Sequence, residues 1–291
     1  MYQRAGFGKA LVVGRNDDVK AKLTETGLAD AVRELEVVNA ANTMHLDQYK
    51  THLYDRLQRR GFDSQDIHRL AARDRHVFSA LMLAHGHGDG LVTGATRKSA
   101  HILDRINHVF DAGENSKAAG VTALVHKGRI VFIADTLVHE WPDEEDLADI
   151  ATQAAVVARN MGLDPRVAFV SFSTFGYPVS ERAEKMHLAP RVLDARGVDF
   201  EYEGEMTVDV ALNTQAQAAY PFSRLTGPAN ILVVPARHSA SISVKLMQEM
   251  GGATVIGPIL AGVGGSIQIC SNVSTANDIL NMAVLAACKV G

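Results

Sequence analysis

Between Gly265 and Ile279 the chain reads GSIQICSNVSTANDI, which sets a hydroxyl at Ser271 and a carboxylate at Asp278 around a small polar turn. These are parts of a reaction site, yet no cationic side chain lies between them. The stretch therefore reads either as a working catalytic corner or as a retired one. HGHGDG, at 85–90, has the His-x-His-x-Asp spacing of a metallohydrolase, because imidazoles two positions apart on an extended segment can share a metal. Gly90 stands where that pattern wants another histidine, and spacing alone is a weak signal. The stretch is read as a polar loop ending a helix, and no metal ligand is predicted. The other histidines are scattered singly and receive no role.

SFSTFG, at 171–176, closes a predicted strand with three hydroxyls and a glycine, where open α/β sheets contact ligands. Hydroxyls and free N–H groups there suit a phosphate; an ordinary loop leading into a helix is the competing reading. GEMTVDVAL and GPANILVVPARHSAS put Asp209 and Asn230 at element ends, facing a ligand or capping a helix, of which capping is the commoner use. Gly86, Gly88, Gly90 and Gly94 follow a helical window and enter a strand, the reverse of a dinucleotide fingerprint. Nicotinamide binding by this chain is not expected.

Short β-branched runs alternate with amphipathic helical windows along the whole chain, starting with KALVVGR before DDVKAKLTETGL. That order predicts an α/β fold with mainly parallel sheets. The helix SAHILDRINHVFDAG closes at Gly113, a C-cap, and AGENSKAAG (112–120) is the clearest linker-like stretch. GVTALVHKGRIVFIADTLV reads as a hairpin turning at Lys127-Gly128, opening a new domain. WPDEEDLADIATQAAVVARNMGL is a helix with Pro142 near its start and acids in the first turn, where the macrodipole favours them.

At 291 residues and 47% hydrophobic content the chain buries a real core. A net charge of −4, with both signs mixed throughout, marks no face for nucleic acid or membrane, so a small-molecule ligand is expected. Cys270 and Cys288 make neither a metal spacing nor a disulfide framework, and with no apolar leader the reading is cytoplasmic.

Taken in order, SFSTFG, EGEMTVDVAL, GPANILVVP, SISVKLMQEMGGATVIGPILAG and DILNMAVLAA closely resemble the phosphate acetyltransferase and butyryltransferase family. GLVTGAT and FIADTLVHEWPDEEDLADIA match earlier segments of it, so the resemblance covers nearly the whole chain. FEYEGEMTVDVALN with YPFSRLTGPANILVVPARHSASIS is similar to the version fused behind the catalytic domains of bacterial malic enzymes. Family members carry an extra strand and an acidic turn before the segment matching AGFGKALVVGR, so a C-terminal piece of a malic enzyme is expected. NAD(P) and a divalent metal would then belong only to the fused catalytic domain.

The resemblance implies two α/β lobes of isocitrate/isopropylmalate dehydrogenase-like architecture with a cleft between them. Residues 1–119, completed by 274–291, form the first lobe and 120–273 the second, through which a homodimer or higher homo-oligomer assembles. CoA and acyl phosphate would meet in the cleft. In active transferases the turn reads Ser-Arg-Gly-Cys-Ser, followed by an aspartate in the next helix. There the aspartate accepts the thiol proton, the serine donates to the developing oxyanion and the arginine neutralises phosphate or developing charge.

The matching positions here are Ser271, Asn272, Val273, Ser274, Thr275 and then Asp278, so serine and aspartate survive while the arginine has become Asn272. A second family arginine falls near Asp104 and Arg105, off by one, and Thr136 follows Ala134-Asp135 where active enzymes often carry cysteine. The CoA-binding features remain, implying ligand contacts at Ser171, Ser173, Thr174, Asn230, Gly257 and Pro258, with Arg97, Lys98 and Arg105 as replacement cations. The expected function is an acetyl-CoA-binding regulatory module of a malic enzyme. A working transferase moving acetyl or butyryl between CoA and phosphate is the alternative, and a purely structural dimerisation module predicts no CoA binding.

Overall fold

The computed structural model describes residues 1–110 and 118–288. The C-cap expected at Gly113 and most of the loop 112–120 lie outside the described residues. The chain divides into two compact units, one of Met1–Asp111 with Gly264–Cys288 and the other of Ala112–Val263.

The first unit begins with two short parallel strands, β1 (Leu11–Val13) and β2 (Glu36–Val38), joined through α1 (Asn16–Glu25). Then come α2 (Leu46–Leu57), α3 (Ser64–Arg73), α4 (Arg75–Ala84), β3 (Leu91–Gly94) and α5 (Ser99–Ile106). α3 buries Ile67, Leu70 and Ala71, the i, i+3, i+4 stripe of a one-faced helix. Its start is a capping box between Asp63 and Asp66. Asp74 ends α3 in an extended conformation and at once caps α4, its carboxylate accepting the N–H groups of His76 and Val77. Tyr49, Leu53, Phe78, Leu81, Ile102 and Ile106 are among the fully buried side chains of this unit.

The second unit runs β4 (Ala119–His126), β5 (Arg129–Ala134), α6 (Glu144–Asn160), β6 (Arg166–Val170), α7 (Glu181–Arg196) and β7 (Glu201–Met206). It continues with α8 (Val208–Leu212), α9 (Thr214–Gln217), β8 (Ile231–Val233), α10 (Arg237–Glu249) and β9 (Thr254–Ala261). Its six-stranded sheet has the order β7-β6-β8-β5-β4-β9, parallel from β7 to β5 and antiparallel at β4 and β9. The hairpin turn holds Lys127 at φ 48 and Gly128 at φ 75, the two left-handed residues that such a tight turn requires. α6 starts directly after Pro142-Asp143, with Asp143 and Asp146 in a capping box and Glu144, Glu145 and Asp146 in the first turn.

β10 (Ile267–Cys270) and α11 (Ala276–Ala287) return to the first unit, where β10 pairs in parallel with β3 from Leu91↔Ile267 to Gly94↔Cys270. The sequence reading kept the second lobe to 273; because β10 hydrogen-bonds to β3, the return comes at Gly264 instead. Gly94 makes the pairing possible: at φ +122, a Cβ built on it would sit 2.1 Å from the Cys270 carbonyl oxygen. Gly94→Ala is therefore expected to cost about 2–3 kcal/mol through forced separation of the two strands, read as a lower urea midpoint with unchanged m. No helix among the described residues is long and apolar enough to cross a membrane.

Candidate functional site

β3 and β10 are parallel and end level, with Gly94 opposite Cys270 and the Ala95 N–H donating to the Cys270 carbonyl at 3.0 Å. The turns 95–98 and 271–275 thus leave the same sheet edge, the C-terminal edge where α/β sheets place ligands. In the second turn the Ser271 N–H donates to Ser274 Oγ at 3.0 Å, and Ser271 Oγ accepts from the Val273 N–H at 3.3 Å. Thr275 caps α11. Asp278 Oδ2 accepts both the Thr275 N–H at 2.8 Å and its hydroxyl at 2.9 Å, while Thr275 Oγ1 accepts the Asp278 N–H at 3.2 Å. One oxygen of the candidate base is thereby committed to a capping box. Burial, then the nearby Asp278 charge, push the Cys270 thiol up to about 11, so it stays protonated at neutral pH.

Arg97 and Lys98 are exposed on the neighbouring turn after β3. Behind them, His76 Nδ1 lies 2.7 Å from Thr93 Oγ1, and burial holds this imidazole below its ordinary value. Arg105 faces elsewhere than the sequence reading assumed. Its charge partners are Asp74, with Nε 3.4 Å from Oδ2, and Asp104, and it lines a pocket with residues of α3.

In the second unit, Ser171 and Thr174 are half-buried on the loop after β6. Ser171 donates its N–H to the Met206 carbonyl, and Thr174 Oγ1 accepts the Thr207 N–H at 3.2 Å. Ser173 is no ligand contact: it is 0% exposed and its hydroxyl donates to Glu205 Oε1 at 2.8 Å. Asn230 is likewise removed. Its Oδ1 accepts the Arg166 N–H and its Nδ2 donates to the Asp164 carbonyl, tying the start of β6 to the start of β8. Because β6 and β8 are parallel with Val167 opposite Ile231, Asn230 and Ser171 lie at opposite ends of the sheet, roughly 15 Å apart at 3.3 Å per residue.

Gly257 and Pro258 lie inside β9 as a bulge opposite Thr122, between the pairs Ala123↔Ile256 and Val121↔Ile259. A Cβ at Gly257 would stand 2.9 Å from the Val121 carbonyl, so close strand approach explains this glycine. Asp209 lies in the first turn of α8, whose N-cap is Thr207 with no side-chain cap bond, and the Thr207 hydroxyl chiefly holds the Asp209 carboxyl below the usual range.

The sequence model described as Phosphate acetyl/butaryl transferase matches residues 1–287. The chain belongs to this family. It is 44% identical over 290 residues to the NADP-dependent malic enzyme of Rhizobium meliloti (strain 1021), covering 100% of this chain and 38% of that protein. It is 27% identical to the phosphate acetyltransferase of Bacillus subtilis (strain 168), covering 96% of this chain and 86% of that one. A phosphotransacetylase from Streptococcus pyogenes superposes with a TM-score of 0.87 at 27% identity, covering 96% of this chain and 84% of the other. The chain thus corresponds to the phosphotransacetylase-like, C-terminal part of malic enzymes and spans well under half the length of these malic enzyme relatives.

Two polar centres of this family member have no local signature. Glu205, 0% exposed, accepts the Ser173 hydroxyl and the Gly176 N–H on Oε1, and its Oε2 is 2.9 Å from His187 Nδ1. Burial alone would raise this carboxyl, but the Gly176, Ser173 and His187 donors hold it below the ordinary glutamate range. It fixes the 171–177 loop. Asp135, 2% exposed, accepts the N–H groups of Gly120, Leu137, Val138 and His139 and lies 2.8 Å from His139 Nδ1, fixing the turn after β5. Two histidines that look scattered in the sequence also converge on the 85–90 pair: His45, His85 and His87 surround Tyr49, and His52 packs edge-on against His85.

Proposed function

We propose that this chain is the acyl-CoA-binding, regulatory part of a malic enzyme, acetyl-CoA its effector, on a transferase scaffold whose catalytic corner is weakened. The observation that carries the reading is the Ser271–Asp278 turn. It keeps the hydroxyl and carboxylate, presents the neutral Asn272 in the family's arginine position, and commits Asp278 Oδ2 to Thr275. A neutral amide supplies neither charge nor the bidentate fork with which a guanidinium holds phosphate. CoA binding needs no such cation at the transfer point, so binding outlives turnover.

Regulation follows from linkage. An effector inhibits only if it binds the less active form better, and where it does so by lowering malate affinity, malate weakens its binding by the same factor. NAD(P) and the divalent metal belong to the fused catalytic part, and homo-oligomerisation through the second unit supplies the surface by which one copy senses another. Arg97 and Lys98, exposed on the turn beside Asn272, favour a second reading, in which the chain still moves acetyl or butyryl between CoA and phosphate.

Calorimetric titration with acetyl-CoA, paired with an assay of phosphate-dependent acetyl phosphate formation on the same sample, separates the two. Binding near micromolar, about −8 kcal/mol, without turnover is the expected result. Turnover at ordinary enzyme rates, about 1–10³ s⁻¹, would transfer the assignment to the acyltransferase.

A further inference from the structure

A concave pocket of about 440 Å³ in the first unit is lined by Phe62, Asp66, Arg69, Leu70, Arg73, Asp74 and Arg105. Three guanidiniums thus meet two carboxylates, and both carboxylates are already engaged. Asp66 accepts the Asp63 N–H and pairs with Arg69. Asp74 accepts the N–H groups of His76 and Val77 and lies beside Arg105. The Arg73 guanidinium makes no hydrogen bond or ion pair among the described residues, and Arg105 Nε is buried without a hydrogen-bond partner, too poorly aligned on Asp74 to make one. A buried donor left unsatisfied is costly, and an arriving acceptor would relieve it. The other wall is apolar: Leu70 is 8% exposed, and the half-buried Phe62 ring packs edge-on against His108.

We propose that this pocket binds a phosphate monoester carrying an apolar or aromatic group, with the phosphate on Arg73, Arg69 and Arg105 and the organic group against Phe62 and Leu70. A planar guanidinium matches a phosphate oxygen pair bidentately, and the volume holds one phosphate and one ring. A carboxylate ligand would present one oxygen pair to three forks; a phosphate dianion presents three terminal oxygens. The pocket is built from α3, the Asp74 junction before α4, α5 and the segment before α3, and the inference does not rest on the acyl-CoA reading.

Phenyl phosphate titrated calorimetrically into the whole chain tests it. Saturable one-to-one binding is expected, weakening with added salt. Arg73→Gln and Arg69→Gln, both at exposed positions that leave the fold intact, should each weaken it by about tenfold or more. Inorganic phosphate should bind more weakly than phenyl phosphate. Wild-type affinity in Arg73→Gln and Arg69→Gln, or no saturation on the order of millimolar ligand, would each overturn the assignment; phosphate binding as tightly as its phenyl ester would overturn the organic half of it.

Discussion

Asn272→Arg is expected to raise phosphate-dependent acetyl transfer by about 10²–10³-fold, the size of effect seen when one preorganised stabiliser is lost or restored. The position is exposed on the turn between β10 and α11, so the longer side chain is accommodated without repacking. Its neighbours are already set: Ser271 is oriented by Ser274 and Val273, and Asp278 by Thr275. What the turn lacks is a cationic side chain, which on the proposed reading would stabilise the phosphate and the collapsing tetrahedral centre. Asn272→Lys should recover less, because an ammonium is a point charge without the fork. If the charge acts through this corner, Ser271→Ala placed on top of Asn272→Arg should erase most of the gain, a non-additivity that independent sites do not show. A wild type already turning over at family rates, or an arginine variant with no gain, would mean that the retired-corner reading is wrong.

The second large effect concerns stability. Glu205→Ala is expected to cost about 3–5 kcal/mol, the range for removing one partner from a buried charged network. Three donors lose their acceptor at once: the Ser173 hydroxyl, the Gly176 N–H and His187. Glu205→Gln should cost less yet remain destabilising. Its oxygen still serves Ser173 and Gly176, but its amide N–H₂ meets His187 Nδ1, forcing that ring to the other tautomer, while Arg191 Nη2 lies 3.3 Å from Nε2. Acid titration has a definite sign here. The folded carboxyl sits below its ordinary value, so its contribution is complete above about pH 4.3, the unfolded glutamate range, and is lost as pH falls through the folded pKa. Urea melts from pH 7 downward should show wild type converging on Glu205→Gln in acid. Parallel curves at every pH would show that the carboxylate is not the stabilising species.

What the sequence made legible was local. The Lys127-Gly128 turn, the acidic start of α6 after Pro142 and the alternation of strands and helices all depend on neighbours in the chain, and the structure has them. Pattern matching likewise placed the chain in its family. The nominated contacts Ser173 and Asn230 failed for a common reason. Both are polar residues at strand ends, and whether such a residue meets ligand or backbone is decided by partners far away: Glu205 is 32 residues from Ser173, and Arg166 is 64 from Asn230. Register also had to be known before Asn230 could be seen at the opposite sheet edge from Ser171. The family arginine sought near Arg105 was a one-residue ambiguity, and one residue on a helix rotates a side chain by about 100°. That is enough to turn it toward Asp74 and α3.

The return of β10 to β3 also orders events at the ribosome. Among the described residues the second unit is one uninterrupted stretch, and it has every strand of its sheet by the time Ala261 has been made. The first unit, although its residues emerge earlier, must wait for Gly264–Cys288 before β3 gains its partner. During that interval β3 offers an unpaired edge and lacks the cover of α11, so the early-made half is the aggregation-prone one. A stalled chain ending before Gly264 would therefore release a folded second unit behind an unfinished first, and proteolysis of such chains should trim from the amino-terminal side.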